Sequence, residues 1–245
     1  MSPLLIAAAL QDETRDLKEN LAVDCTIHFK PAVLKRGLLF GREIGLLTAG
    51  LGPLRVEKAL NQVLPEFKPS AILFVGYAGG ASPLASAASL VLAQKVVDAA
   101  TGEIFAADAD LLEEAKEACK TQNLEHCAGG LATVAGVISS PHEKADLGAV
   151  HDCLALDMEA AAAARVAKRH AVPFLAVKAV LDPVAMELPD LKDCIDDEGG
   201  AKPLMLMGHL VKTPGDMMKL PQLQYCAAQA RASINRFVEA FLKNL

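Results

Sequence analysis

Acidic residues follow several apolar runs of this sequence, at points where chemistry could take place. These residues are Asp12, Glu13, Asp157, Glu159 and Asp182. Carboxyl groups act as general acids or bases, and they stabilise positive charge that develops on a substrate. Each lies beside Leu, Val or Ala residues, where a buried carboxylate without a partner costs several kcal/mol. The set therefore favours a ligand-binding site over a solvated surface.

Two glycine-rich segments accompany these acids. Gly50-Leu51-Gly52 stands directly before Pro53, a residue suited to the first position of a helix. A strand, a glycine turn and a helix start leave backbone N–H groups free to bind an anion or a hydroxyl group. The second segment is Gly76-Tyr77-Ala78-Gly79-Gly80. We therefore expect Gly50, Gly52, Tyr77, Ala78 and Gly79 to contact a substrate.

Short apolar runs alternate with helical patterns along the chain. The predicted strands are residues 4–10, 43–48, 71–76, 90–97, 131–139 and 174–181, and the predicted helices are 53–64, 109–121, 158–170 and 222–245. This alternation predicts the α/β class. Ligands of open α/β sheets bind beyond the carboxyl ends of the strands, which is where the acids and glycines fall.

Composition supports one α/β domain over residues 1–245. The chain is 52% hydrophobic but only 4% aromatic, with Ala, Leu and Val dominant, as expected for helices packed on a largely parallel sheet. The net charge of −6 and the scattered basic residues disfavour binding to nucleic acid or to anionic lipid. No apolar stretch is long enough to span a membrane. We therefore expect a cytoplasmic protein with a small-molecule substrate.

Two further features concern cysteine content and the end of the chain. The six cysteines have no C-x-x-C spacing, so neither a disulfide framework nor a metal site is predicted. Residues 183–221 are rich in Pro and Met and have little periodicity, and they are predicted to form a lid. Residues 222–245 have helical spacing and are predicted to pack against the sheet.

Taken in order, three segments resemble the nucleoside phosphorylase and nucleosidase superfamily. They are Gly76-Tyr77-Ala78-Gly79-Gly80, then Leu156-Asp157-Met158-Glu159-Ala160, then residues 172–182, which end in Asp182. In addition, the run Ala8-Ala9-Leu10-Gln11-Asp12-Glu13 is similar to the part of methylthioadenosine/S-adenosylhomocysteine nucleosidases that contains their catalytic glutamate. The resemblance implies a three-layer αβα sandwich with a central mixed, largely parallel twisted sheet.

The resemblance also implies roles for individual residues. Asp182 would give a proton or a strong hydrogen bond to N7 of a purine, which requires a raised pKa. Glu159 would bind the ribose hydroxyls and stabilise the oxocarbenium-like transition state, and Met158 would pack against the sugar. Glu13 would orient or deprotonate water. These side chains supply all the chemistry, so no cofactor or metal is expected, whereas a homo-oligomer is implied.

The sequence departs from the nucleosidase pattern at three positions. Tyr77 and Leu181 stand where nucleosidases usually have Ser, and Lys178 stands where Arg is common. Because Leu181 has no hydroxyl group to orient Asp182, recognition of the base is expected to differ. The reaction class is therefore better defined than the substrate.

Beyond Asp182 the chain is similar to hopanoid-associated phosphorylases. That resemblance rests on Asp182-Pro183, on Glu187-Leu188-Pro189 and on the Pro- and Met-containing tail. It implies that adenine is removed from an adenosyl-lipid with inorganic phosphate as co-substrate, under an apolar lid. Candidate phosphate ligands are Arg55, Lys35, Arg36 and Lys178.

Three functions follow from these features. The first is phosphorolysis of a 5′-substituted adenosine, with the adenosyl-lipid as substrate; the second is hydrolysis, as in methylthioadenosine-type nucleosidases. Glu13 favours water as the nucleophile, and the tail favours phosphate. The third is a catalytically silent nucleoside-binding protein. A dinucleotide-dependent dehydrogenase is excluded, since no G-x-G-x-x-G motif opens a helix after the first strand.

Overall fold

The structure is a computed structural model that describes residues 3–30, 32–188 and 214–244. Most of the predicted lid, residues 189–213, lies outside the described residues. The strands are β1 (Leu4–Ala8), β2 (Ala22–Phe29), β3 (Ala32–Leu39), β4 (Arg42–Thr48), β5 (Ile72–Gly80), β6 (Leu90–Asp98), β7 (Ile104–Ala106), β8 (His126–Thr133), β9 (Ala155–Asp157) and β10 (Phe174–Asp182). The helices are α1 (Arg15–Asn20), α2 (Pro53–Phe67), α3 (Ala109–Thr121), α4 (Pro141–His151), α5 (Ala160–Arg169) and α6 (Pro214–Asn244).

These strands form one mixed sheet in the order β10-β6-β8-β9-β5-β1-β4-β3-β2, with β7 beside β6. Strand β10 also pairs with β5, so one part of the sheet closes on itself. Strands β4, β1, β5 and β10 run parallel to one another. Their carboxyl ends therefore meet at one edge of the sheet, which brings together the segments that follow β1, β5 and β10.

Two apolar clusters cover the two faces of this sheet. One joins the sheet to α2 and to the alanines of α5. The other joins it to α1, α3 and α6, whose buried residues include Leu17, Ala115 and Phe237. Helices on both faces of a mixed sheet confirm the predicted αβα architecture. In the described part of the chain, no helix is both long enough and apolar enough to cross a membrane.

Two predicted strand boundaries were wrong, and glycine explains both. The strand predicted at 131–139 is β8, His126–Thr133, and it contains Gly129 and Gly130. A Cβ at Gly130 would lie 2.3 Å from the Asp152 carbonyl oxygen, so the absence of a Cβ lets the backbone of residue 152 lie close to β8. Glycine has a low strand propensity, so this part of β8 was not predicted as a strand. Likewise, the strand predicted at 71–76 is β5, Ile72–Gly80, so the glycine-rich segment 76–80 lies inside a strand that pairs with β10 and β9.

Other elements were missed or shifted. The pattern did not predict β2 or β3. Most side chains of β2 are exposed, so β2 gives no apolar alternation. Helix α5 begins at Ala160, so Met158 and Glu159 lie in the turn before it. The last helix begins at Pro214 rather than at residue 222 and has Pro221 inside it.

Candidate active site

A cavity of about 180 Å³ opens at the carboxyl edge of β5 and β10. Its wall is mainly apolar, as is usual for a small-molecule site. The polar and charged side chains that line it are Glu13, Tyr77, Lys144, Asp157, Glu159 and Asp182. Four of the five acids selected in the sequence analysis therefore reach one cavity, although they come from segments far apart in the chain.

Glu13 lies in the turn between β1 and α1 and is only 5% exposed. One carboxylate oxygen, Oε2, accepts a hydrogen bond of 2.7 Å from the Leu10 N–H, and Oε1 accepts one of 2.9 Å from the Tyr77 N–H. Burial raises the pKa of the Glu13 carboxyl, although the positive charge of Lys178 and these N–H groups offset part of the shift. Glu13 is thus a fixed carboxylate that is more basic than usual.

A glycine makes room for this carboxylate. A Cβ at Gly76 would lie 2.5 Å from Glu13 Oε1 and 3.0 Å from Lys178 Nζ. Any larger residue in this position of β5 would push against both charged groups. The first glycine of the 76–80 segment therefore has a steric function at the site.

Glu159 is buried directly before α5, and its Oε1 accepts a hydrogen bond of 2.9 Å from the Gly52 N–H. Gly52 has φ +100°, a left-handed conformation that favours glycine, and it directly precedes α2. Burial raises the pKa of the Glu159 carboxyl to about 7, and the negative charge of Asp157 adds to the shift. Glu159 therefore changes its protonation state near neutral pH.

Asp157 and Lys178 form a buried ion pair behind the cavity. Lys178 Nζ lies 3.1 Å from Asp157 Oδ2 and 4.3 Å from the centre of the Phe74 ring. The other carboxylate oxygen of Asp157 accepts a 2.7 Å hydrogen bond from the Thr133 hydroxyl group, and Asp157 Oδ2 also accepts one from the Ala160 N–H. Burial alone would lower the pKa of Lys178, but Asp157, Glu13 and Glu159 outweigh burial and raise it. Lys178 thus remains charged and holds the carboxylates together.

Asp182 ends β10 and is 3% exposed. Its Oδ2 accepts a hydrogen bond from the ammonium group of Lys144, a residue of α4 that is itself buried. Lys144 Nζ also donates to the Met186 carbonyl oxygen at 2.7 Å. Burial raises the pKa of Asp182 to about 6, although Lys144 acts in the opposite direction. The cavity therefore has a second charged group of residues, separate from Glu13 and Glu159.

The Tyr77 hydroxyl group is hydrogen-bonded to a carboxylate other than that of Glu13. It donates a 2.7 Å hydrogen bond to Asp12 Oδ2, and Asp12 also pairs with Arg231 of α6 at 3.1 Å. Burial, together with Asp12, raises the pKa of the Tyr77 hydroxyl group. Asp12 therefore connects Tyr77 to α6 and does not line the cavity, whereas the Tyr77 backbone holds Glu13.

The remaining predicted contacts divide into two groups. Met158, Ala78 and Gly79 line the cavity. Gly50 and Gly52 are not among its lining residues; Leu51, between them, is. Gly52 instead supports Glu159, because its N–H donates a hydrogen bond to the Glu159 carboxylate.

The four candidate phosphate ligands do not belong to the cavity lining, although Lys178 contacts the lining residue Asp157. Lys178 is buried against Asp157, and Arg36 lies 3.4 Å from Glu43 on β4 and 5.5 Å from the Phe67 ring. Lys35 is paired with Leu46 in the middle of the β3–β4 ladder. Arg55 lies beside Gly50, where its Cδ would be 3.0 Å from an added Cβ. None of the four is among the described residues that line the cavity.

Sequence reasoning missed Lys144 and the role of Thr133. No apolar pattern or motif distinguishes Lys144, and its partner Asp182 is 38 residues away. In the described ranges, no group of three or more His, Cys, Asp or Glu residues is arranged to hold a metal ion. The site therefore consists of four carboxylates and two ammonium groups.

Solved structures of other proteins share the fold of this chain. The chain matches the 5′-methylthioadenosine/S-adenosylhomocysteine nucleosidase from Neisseria meningitidis, solved with methylthio-immucillin-A, with a TM-score of 0.80 and 19% identity over 100% of both chains. It also matches the futalosine hydrolase of Helicobacter pylori with a TM-score of 0.78 and 17% identity, covering 100% of this chain and 98% of the other. These matches show the fold that this chain shares with both proteins.

Sequence comparison is more specific. The phosphorylase superfamily model matches residues 3–198. A 5′-methylthioadenosine/S-adenosylhomocysteine nucleosidase from Bacillus cereus is 28% identical over 196 residues, which are 73% of this chain and 85% of the relative. The corresponding nucleosidase from Bacillus cytotoxicus is 26% identical over the same shares. The chain belongs to the phosphorylase superfamily, the enzymes that cleave the N-glycosidic bonds of nucleosides, as the resemblance in its sequence predicted.

Proposed function

We propose that this enzyme hydrolyses the N-glycosidic bond of a 5′-substituted adenine nucleoside such as 5′-methylthioadenosine. The observation that carries the proposal is Glu13, a buried carboxylate on the cavity wall that two backbone N–H groups hold in place. Its carboxylate shares the cavity with Glu159 and with the Lys144–Asp182 pair. The curated relatives named above are nucleosidases of this type.

The proposed reaction gives Glu13, Glu159 and the Lys144–Asp182 pair one role each. Water attacks C1′ of the ribose while its proton passes to Glu13, and the electron pair of the C–N bond leaves with the purine. The purine receives a proton from the Lys144–Asp182 pair, because an anionic purine is a poor leaving group. Glu159 binds the ribose hydroxyls, and its carboxylate stabilises the positive charge that develops on the sugar. Met158 supplies apolar contact beside it.

The charges of the cavity favour water over phosphate as the nucleophile. A bound phosphate needs cationic or N–H donors. Among the described residues that line the cavity, Lys144 is the one cationic side chain, and Asp182 already neutralises it. Glu13 and Glu159 would repel a phosphate dianion, whereas Lys178 neutralises Asp157. We therefore prefer hydrolysis to the phosphorolysis that the sequence analysis placed first.

The lipid-linked substrate has no support among the described residues. That hypothesis depended on a lid over residues 183–221, and residues 189–213 lie outside the part of the chain that the structure describes. Leu188, which belongs to the described start of the predicted lid, lines the cavity, and its N–H donates a hydrogen bond of 3.1 Å to the Ser139 carbonyl oxygen. The comparisons point to nucleosidases rather than to enzymes that act on lipids.

Adenine release from 5′-methylthioadenosine, with and without phosphate, tests the proposal. Chromatography should show adenine and free 5-methylthioribose in both conditions. Glu13→Gln should lower kcat by about 10²- to 10⁴-fold because it removes the base, whereas Glu66→Gln, at an exposed glutamate of α2, should not. Release that requires phosphate and yields a sugar 1-phosphate would contradict hydrolysis. Tight binding without release would instead support a silent nucleoside-binding protein.

A further inference from the structure

Lys144 is an unusual residue for the wall of an apolar cavity. It is 1% exposed, and lysine is seldom buried this fully unless it is paired. An ammonium group has three N–H donors. Asp182 and the Met186 carbonyl oxygen take two of them, and Lys144 lines the cavity. These two bonds use two of the three N–H donors of an ammonium group that belongs to the cavity wall.

The ion pair limits what Asp182 can do at neutral pH. The pKa of Asp182, raised by burial to about 6, still leaves most of its carboxyl groups ionised at pH 7. An ionised carboxylate accepts hydrogen bonds and has no proton to donate. Lys144, in contrast, has a transferable proton at the same position. The two residues therefore present one donor and one acceptor, side by side, to a ligand.

This arrangement matches one edge of adenine. Adenine presents N7 as an acceptor and its 6-amino group as a donor, whereas a 6-oxopurine presents two acceptors there. A donor beside an acceptor is complementary to the first pattern, and a carboxylate facing a 6-oxo group is repulsive. Gly79 leaves space for this contact, since a Cβ there would lie 3.3 Å from Asp182 Oδ2.

We propose that Lys144 is a catalytic residue that donates the proton to N7 of the leaving purine, while Asp182 accepts a hydrogen bond from the 6-amino group. This inference rests on the proposed function and reassigns the proton that the sequence analysis gave to Asp182. As the C–N bond breaks, its electron pair passes to the purine, and the ammonium proton moves to N7. Lys144 is left as a neutral amine and regains a proton from solvent after adenine leaves.

Two variants separate proton transfer from structural support. Lys144→Met removes both charge and proton, whereas Lys144→Arg keeps the ion pair with Asp182 but has a guanidinium that does not give up its proton. Both should lower kcat for 5′-methylthioadenosine by about 10²- to 10⁴-fold with little change in KM. Neither should slow the hydrolysis of 4-nitrophenyl riboside by more than a few-fold, because nitrophenolate leaves without a proton. Glu159→Gln is the control and should slow both substrates, since it acts on the sugar.

The roles of the two residues predict a different effect at Asp182. Asp182→Asn should reduce the preference of the enzyme for 5′-methylthioadenosine over its analogue without the 6-amino group, because a neutral amide oxygen accepts a weaker hydrogen bond than a carboxylate does. If Asp182 donates the proton instead, Asp182→Asn will lower kcat for 5′-methylthioadenosine but not for 4-nitrophenyl riboside. Lys144→Arg will then show no such difference between the two substrates.

Each outcome decides between the alternatives. Wild-type kcat in Lys144→Arg would overturn the proposal, as would equal losses on both substrates. If the wild-type enzyme does not cleave the nitrophenyl riboside, kcat and KM of Lys144→Arg with 5′-methylthioadenosine decide alone. A wild-type enzyme that releases no base from any nucleoside refutes the proposed function itself, a result distinct from failure of the role of Lys144.

Discussion

Replacing Glu159 by Gln should make the stability of the enzyme less sensitive to pH. Glutamine keeps the shape of the side chain and an oxygen that can accept the Gly52 N–H. It removes the group whose pKa is raised from 4.5 to about 7, mainly by burial. A carboxyl group whose pKa is higher in the folded state holds its proton more tightly there, so its contribution to stability is complete below the unfolded pKa. This contribution is lost as the pH rises through the folded pKa.

The size of the effect follows from the shift. One pKa unit corresponds to about 1.4 kcal/mol, so the wild type should lose about 3 kcal/mol of unfolding free energy from Glu159 between about pH 4 and pH 8. The variant should not lose this amount. Because Glu13 and Asp182 are present in both proteins, the difference between the two stability curves isolates position 159 to a first approximation.

Urea unfolding at a series of pH values measures this difference. The free energy of unfolding of Glu159→Gln minus that of the wild type should increase by about 3 kcal/mol over the range, mostly between about pH 5 and pH 7. Glu66→Gln, at an exposed glutamate of α2, should show no such trend. A difference that is flat with pH, or that falls as the pH rises, would refute the view that Glu159 is buried and protonated more readily than usual.

Two further substitutions test the support of the site. Gly76→Ala should destabilise the protein by about 1–3 kcal/mol and lower activity, because its Cβ would lie 2.5 Å from Glu13 Oε1. Thermal melts measure the stability change, and Gly136→Ala is the control because a Cβ there meets nothing within 4 Å. Lys178→Met should cost about 3–5 kcal/mol because it leaves the buried Asp157 carboxylate without its ion-pair partner. The double variant Lys178→Met/Asp157→Asn should regain much of that loss in urea unfolding, and a double variant as unstable as the single one would show that the charge of Asp157 is not the cause.

Local features of the sequence were sufficient for the class of the fold. Apolar runs separated by helical patterns indicate the α/β class because burial of one face is a property of each segment by itself, and the family resemblance added the αβα layers. The same is true of the acids, since a carboxyl group at the end of a buried strand reaches the edge where ligands bind. Glu13, Glu159 and Asp182 were selected on this basis, and the family that their segments resemble is the family to which the chain belongs.

The tertiary structure alone decided which groups meet. Lys144 joins Asp182 across 38 residues, Tyr77 holds Glu13 across 64, and Gly52 holds Glu159 across 107. Such contacts depend on strand register and on the angle at which each helix packs, and no local pattern contains either quantity. Charge and pKa depend in turn on these contacts, because burial and neighbouring ions set the cost of each ionised form. The sequence by itself thus determined the fold class and three acids of the site, whereas only the folded chain showed that Lys178 is a buried counter-ion and that Lys144 lines the cavity beside Asp182.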